Sequence, residues 1–267
     1  MNRFFLTTLS GAILLFSACT PPVEAPEELG ELLLFMYSEY ETETGDELVA
    51  GSVQMEEYLL SIDLLADVDD RAVTPPILTD DYLGEASKPS GADPNQQVPV
   101  ALSGQSANGI DDALTLISDT NQVCIANNSY PHYDREWTSD IDCFVDGTCD
   151  EVSCIASIRY ESFIAKVWFQ EHQVFRRVEL DDGRTVIIEK SWSDEQYSSD
   201  NESSTWDQRF ALNVWLPDEN DEVMRHLAFW SSVTIPGVGD DVIASLTKDA
   251  LEEGFVNEDA FLAGEDC

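Results

Sequence analysis

The stretch Phe229–Phe255, FWSSVTIPGVGDDVIASLTKDALEEGF, decides the fold. Val223, Arg225, Leu227, Phe229, Ser231, Val233 and Ile235 share one parity, the period of two that lines up side chains on one face of a strand. Pro236 and Gly237 break that pattern. From Gly239-Asp240 the period lengthens, and Ile243, Leu246, Ala250 and Phe255 fall toward one side of a helix. A long last strand therefore turns directly into a long C-terminal helix.

Working back toward the N-terminus, the period of two persists. Trp206, Gln208, Phe210, Leu212, Val214 and Leu216 alternate, with a turn over 217–221 after them and a polar loop over 193–204 before them. Val186, Ile188, Lys190 and Trp192 form another run, joined through the hairpin signal Asp182-Gly183 to Val174, Arg176, Val178 and Leu180. Glu171-His172 reads as a turn, preceded by Phe163, Ala165, Val167 and Phe169. Links this short imply an antiparallel meander. Upstream lie a short strand over 98–103 and a helix over 109–118, with Asn108 as its cap. Residues 28–41 and 53–66 have the apolar spacing of helices that pack on something larger. Pro75-Pro76 ends that region, and 67–97 reads mainly as loop.

From Val98 the order is strand, helix, antiparallel meander, long C-terminal helix. In that order, and above all in Phe229–Phe255, the chain resembles the helix-grip fold of START-like lipid-binding and polyketide-cyclase-like domains over roughly 98–262. The resemblance implies an α+β fold whose antiparallel sheet curves around the terminal helix, with an apolar cavity between them and the N-terminal helices packed on it. The segment 119–152 is longer and richer in cysteine than that family's pattern. The alternative is an unrelated α+β sandwich with a filled core.

The N-terminus, MNRFFLTTLSGAILLFSACT, has a basic start at Arg3, an apolar run from Phe4 to Phe16, and small residues before Cys19. This is the plan of a secretory signal. Phe16-Ser17-Ala18-Cys19 resembles the lipobox of bacterial lipoproteins, with Phe16 where that family most often has Leu. The resemblance implies cleavage before Cys19, acylation there, and a membrane anchor in the bacterial envelope; several acyl chains hold firmly, since each buried methylene adds about 0.8 kcal/mol. Thr20 replaces the Asp of the inner-membrane retention signal, which points to the outer membrane. The expected layout is a signal peptide over 1–18, a Pro/Glu-rich tether over 19–28, a helical region and loop over 29–97, and a START-like domain over 98–267 with a cysteine-rich insertion at 124–154.

Residues 19–267 keep all 53 acidic residues and lose only Arg3 of the 13 basic ones, a net charge of −41. Such a chain is a poor partner for nucleic acid or an anionic membrane surface. Its acids are spread rather than clustered, which fits a solvated surface in a salty habitat; the alternative is recruitment of cations. With 43% hydrophobic and 10% aromatic residues, the composition is that of a folded protein.

No catalytic signature stands out. His132, His172 and His226 are far apart, and no P-loop, nucleophile elbow or Rossmann glycine set occurs. Arg176 and Arg225 are candidate ligand-binding residues: on a strand face lining a cavity, either could hold a carboxylate or phosphate head group. The alternative for both is an ion pair with one of the many acids.

CFVDGTCDEVSC, Cys143–Cys154, is the remaining constellation. Beyond Cys19, the thiols Cys124, Cys143, Cys149, Cys154 and Cys267 are disulfide candidates in an exported protein. Spacings of five and then four residues suit structural zinc poorly. Asp140, Asp142, Asp146 and Glu151 align with EF-hand ligand positions, but Phe144 and Val145 stand where a ligand and a glycine belong. An irregular calcium loop built from those four acids is the only cofactor the sequence leaves open. If Asp146-Gly147 is a two-residue hairpin turn, Cys143 and Cys149 point to opposite faces, so Cys143 is expected to pair with Cys154 or Cys124.

The expected function is that of an envelope lipoprotein, non-catalytic, holding a lipid or other apolar ligand between sheet and helix. An acidic, cation-assisted adhesion protein is the alternative, and an envelope hydrolase the third reading.

Overall fold

The computed structural model describes residues 23–265 apart from 85, 87, 90, 127, 128, 163–165, 201 and 202. The signal-like segment, Cys19 and Cys267 lie outside the described residues. One antiparallel sheet organises the chain. Its strands are β1 (Ala72–Val73), β2 (Val98–Ser106), β3 (His132–Trp137), β4 (Glu151–Glu161), β5 (Lys166–Glu179), β6 (Thr185–Trp192), β7 (Tyr197–Ser198), β8 (Thr205–Pro217) and β9 (Val223–Thr234). The order is β1-β2-β9-β8-β6-β5-β4-β3, with the short β7 beside β8. Tight links make the meander. Gly183, with φ of +86°, turns β5 into β6, and Asp218 Oδ1 accepts from the backbone N–H of Asn220 and Glu222 to turn β8 into β9. The early strand β2 pairs along its whole length with the last strand, from Val98 opposite Ser231 to Ser106 opposite Val223.

Two helical layers cover the sheet. On the outer face lie α1 (Leu29–Ser38) and α2 (Asp46–Leu60). Leu32, Leu33, Met36, Tyr37, Tyr40, Leu48 and Met55 join Val186, Ile188, Phe210, Leu212, Val214 and Trp230 in the main core. On the inner face lie α4 (Ile110–Ser118) and the long α6 (Asp240–Leu262), and the short α3 (Val68–Arg71) stands beside α6 and β2. Because both faces are covered, β8 and β9 are buried almost continuously instead of alternating.

The expected fold class is the observed one: α+β, an antiparallel sheet curved around a long C-terminal helix, with N-terminal helices packed on it. Several details differ. β5 runs straight through Glu171 and His172, so no turn exists there. The second helix starts seven residues earlier than its apolar pattern, at Asp46-Glu47, where acidic residues suit the helix N-terminus. Gly109, not Asn108, caps α4; the Asp112 carboxylate accepts from the Gly109 N–H at 3.1 Å. A bulge between Trp206 and Gln208 puts Trp206 on the inner face, whereas unbroken alternation places it with Phe210 on the outer one.

The cysteine segment is also rearranged. Residues 141–145 form the helix α5 (Ile141–Val145), with the Asp140 carboxylate accepting from the Asp142 N–H at 3.1 Å. Gly147, at φ +70°, ends that turn and sends the chain back, so Cys143 and Cys149 bond with Cα atoms 5.4 Å apart. Hairpin geometry had put these thiols on opposite faces; helical geometry puts them together. Cys154 is a buried free thiol in β4, so it does not bridge Cys143. Cys124 is disulfide-bonded as well, and not to Cys143.

Candidate functional site

Between the inner face of the sheet and α6 lies a cavity of about 230 Å³. The last strand builds one wall. Leu227, Phe229, Ser231, Val233 and Ile235 all face the cavity, as their shared parity requires. Across it, α6 presents Ile243, Leu246, Ala250, Leu251, Gly254 and Phe255. Tyr130, Tyr133, Tyr160, Phe169 and Trp206 close the end nearer β3–β5, and Leu116, Ile117 and Ile125 lie at the α4 side. Leu246 is 36% exposed, so the cavity reaches the surface beside the first turns of α6. Only Ile243 of the 23 residues of α6 is fully buried. Leu246, Ala250 and Gly254 of that helix border the cavity, while Phe255 packs on β2.

Polar ties hold α6 at its C-terminal half. The buried Arg71 of α3 donates to both Glu252 oxygens at 2.8 and 2.7 Å, to Ser103 O at 2.7 Å and to Ala66 O at 2.7 Å. Arg225 ion-pairs with Glu258, and Asn257 donates to Ala126 O at 2.7 Å. Phe255 lies so close to β2 that a Cβ on Gly104 would come within 2.7 Å of its ring.

A row of polar groups crosses the sheet beneath this apolar space. Ser191 donates to Glu171 at 2.7 Å, and Arg209 Nε stands 3.3 Å from the other Glu171 oxygen, near enough for an ion pair but not aligned as a hydrogen bond. Arg135 donates to Gln173 at 2.7 Å and to Ile117 O at 2.9 Å, and Gln173 donates to the Tyr133 hydroxyl at 2.7 Å. Burial, more than the nearby Glu171 charge, pushes the Glu189 carboxyl up to about 7, against the pull of Arg135, Asn213 and Arg225. Burial holds the Arg225 guanidinium down at about 9, opposed by Asp259 and Glu189; it stays charged at neutral pH. Its planes of contact are aromatic, with Trp215 and Phe255 ring centres 5.2 and 4.3 Å away.

Of the two expected arginines, Arg225 lies in the cavity and Arg176 does not. Arg176 points to the outer face, where it donates to Tyr40 O at 2.6 Å. The residues of β5 that face the cavity are Phe169, Glu171 and Gln173, of the opposite parity. Both parities of β5 carry buried apolar residues, so alternation could not say which face was which. Glu171, Glu189, Arg135 and Arg209 escaped notice in a chain crowded with charge; for Glu189 the signal was its position inside the apolar run VIIEKSW.

The four acids proposed for calcium do not converge. Asp140 caps α5, Asp142 lies in its first turn, Asp146 ends it, and Glu151 opens β4 opposite Arg176. Among the described residues no group of three or more His, Cys, Asp or Glu is disposed to hold a metal ion. A serine and a histidine do meet: Ser103 Oγ is 2.9 Å from His226 Nδ1. Both are fully buried on the outer face beside Tyr58, the cavity lining includes neither, and His226 Nε2 has no partner among the described residues. Such a pair lacks both substrate access and an orienting acid.

No family model matches the sequence, and neither does any curated protein. Solved structures do align with it. The STAR-related lipid transfer protein from Xanthomonas axonopodis aligns with 62% of this chain over 85% of its own, at 10% identity and a TM-score of 0.46. A START superfamily protein from Mycobacterium smegmatis aligns with 62% of this chain over 97% of its own, at 11% identity and a TM-score of 0.41. The Zhui aromatase/cyclase from Streptomyces sp. R1128 aligns with 63% over 92%, at 10% identity and a TM-score of 0.38.

Proposed function

We propose that the protein is a non-catalytic binding protein of the bacterial envelope that holds a small, mainly apolar ligand between its sheet and α6. The cavity of about 230 Å³ carries this reading. A cavity of roughly 150 Å³ already takes a benzene-sized molecule, while drug-sized ligands occupy about 300–1,000 Å³. The fit is therefore to one or two rings or a short acyl chain, and a full-length lipid requires α6 to swing outward. Sparse burial along α6, and buried arginine ties confined to its C-terminal half, favour opening at its first turns.

Gly254 supplies the test. It faces the cavity from the middle of α6, and a Cβ there meets no atom within 4 Å. Gly254→Leu fills the space and also removes a helical glycine, which favours the helix by about 0.5–1 kcal/mol. The variant is expected to melt no lower than the natural protein yet to lose bound ligand, read by native mass spectrometry of protein prepared without detergent. Equal retained mass in both, or none in the natural protein, argues against an occupied cavity.

The anchor is part of the same proposal and rests on the lipobox-like Phe16-Ser17-Ala18-Cys19 alone. It places the protein on the outer membrane through acyl chains on Cys19, with residues 19–28 as spacer. Labelling cells with radioactive palmitate should mark the natural protein and leave Cys19→Ala unmarked; equal labelling of both sinks the anchor without touching the cavity.

A further inference from the structure

Apart from the ion-paired Arg209 Nε and Glu171 Oε2, the unmet polar atoms of the cavity lining gather in one corner. Trp215 and Arg225 are direct cross-strand partners on β8 and β9, and Asn213 precedes Trp215 by two residues on the same inner face. All three are more than nine-tenths buried and line the cavity. Among the described residues, Trp215 Nε1, Arg225 Nε and Asn213 Oδ1 have no hydrogen-bond partner. Buried polar atoms are rarely left so, because each unmet one costs the full desolvation of that group. Three in one corner of one cavity mark a place that a ligand completes.

The unmet set is two N–H donors and one acceptor. A hydroxyl offers the complement, two lone pairs and one O–H. A carbonyl leaves Asn213 Oδ1 unmet. A carboxylate brings a further negative charge to a guanidinium already paired with Glu258 and flanked by Glu189 and Asp259. We propose that the Asn213–Trp215–Arg225 corner seats an uncharged hydroxyl at the end of an otherwise apolar ligand, an alcohol or phenol. The hydroxyl oxygen accepts from Trp215 and Arg225 and its proton goes to Asn213 Oδ1, while the apolar body lies against Leu227, Phe229 and α6. This rests on the cavity being a ligand site and adds which end of the ligand lies where.

Three probes of the same shape test it on the full chain at neutral pH: naphthalene, 2-naphthol and 2-naphthoate, with affinities from titration calorimetry. The natural protein should bind 2-naphthol about fivefold or more tighter than naphthalene, with 2-naphthoate weakest. Trp215→Phe keeps an aromatic ring and deletes the donor, so it should bring the naphthol-to-naphthalene ratio toward one, whatever it does to the affinity for naphthalene itself. In nuclear magnetic resonance, the indole N–H signal absent from Trp215→Phe should move with 2-naphthol and not with naphthalene. Equal affinity for naphthalene and 2-naphthol in the natural protein overturns the hydroxyl seat and leaves the cavity reading standing. Preference for 2-naphthoate overturns it in favour of an anion site. Failure of all three probes to bind overturns the cavity reading and the seat together.

Discussion

Glu189 and His226 sit on opposite faces of one sheet and titrate in opposite senses. Glu189 has an ordinary value near 4.5 and is raised to about 7 by burial. Between those values the folded chain holds a proton that the unfolded chain has released, so stability falls as pH rises through that window. The loss from this group is on the order of 3 kcal/mol and is complete above about pH 7. His226 has an ordinary value of 6.5 and is lowered to about 3, again by burial. Here the unfolded chain takes the proton first, so stability falls as pH drops below 6.5. The two trends oppose each other between about 4.5 and 6.5 and separate outside it. Glu189→Gln should therefore flatten the decline toward pH 8 in urea unfolding, and His226→Asn the decline toward pH 4. Unchanged pH profiles in both variants would show that neither group is buried as described. The neighbouring Lys190 makes the same residue-scale point. It is fully buried on the outer face, paired with Glu41 and lying over the Tyr37 ring at 4.4 Å, on the strand face it shares with Val186, Ile188 and Trp192.

At the scale of elements, α6 is the part whose position matters most and whose packing is thinnest. Arg71 ties it to α3 and β2 at once, with every bond made by a buried guanidinium. Arg71→Met leaves the Ser103 carbonyl and Glu252 unmet. Since Glu252 is 35% exposed, the cost should be about 2 kcal/mol rather than the larger penalty of a fully buried pair. Amide exchange should rise in α6 before it rises in β8 or β9; uniform acceleration through the sheet would deny the helix its separate opening. Gly104→Ala approaches the same helix from the sheet side. The added methyl meets the Phe255 ring, so the variant should lose about 1–3 kcal/mol and shift the α6 aromatic resonances. The α5 segment shows how an element decides a covalent bond: read as a hairpin it separates Cys143 from Cys149, and as one helical turn ended at Gly147 it joins them.

At the scale of the whole molecule, residues 29–66 are not an attachment to a self-sufficient domain. They supply ten of the 25 buried residues of the main core, and Leu78, Leu83 and Ala86 add to the cover of the same outer face. Deleting α1 and α2 bares Val186, Ile188, Phe210, Leu212, Val214 and Trp230 in one patch, far beyond what a soluble monomer exposes. The truncated chain should be insoluble or molten, judged by lost near-ultraviolet circular dichroism; a cooperative melt near that of the full chain would restore the two-region division. Much of this architecture was legible in the chain. The period of two in β9, the Pro236-Gly237 break and the helical spacing after it placed the strand, the turn and the cavity-facing side chains of α6, because local periodicity maps directly onto faces. Which face of β5 met the cavity was not legible, since a sheet covered on both sides is apolar at both parities. The Cys143–Cys149 bond, the Trp206 bulge, the burial of Glu189, Lys190 and His226, and the unmet corner at Trp215 and Arg225 depend on partners tens to more than a hundred residues away, or on a local choice between helix and hairpin that composition leaves balanced. Sequence alone determined β2, α4, β6, β8, β9, α6 and their order, because each has its own apolar period; only tertiary structure decided β3, β4 and α5, which charges lie inside and what they face.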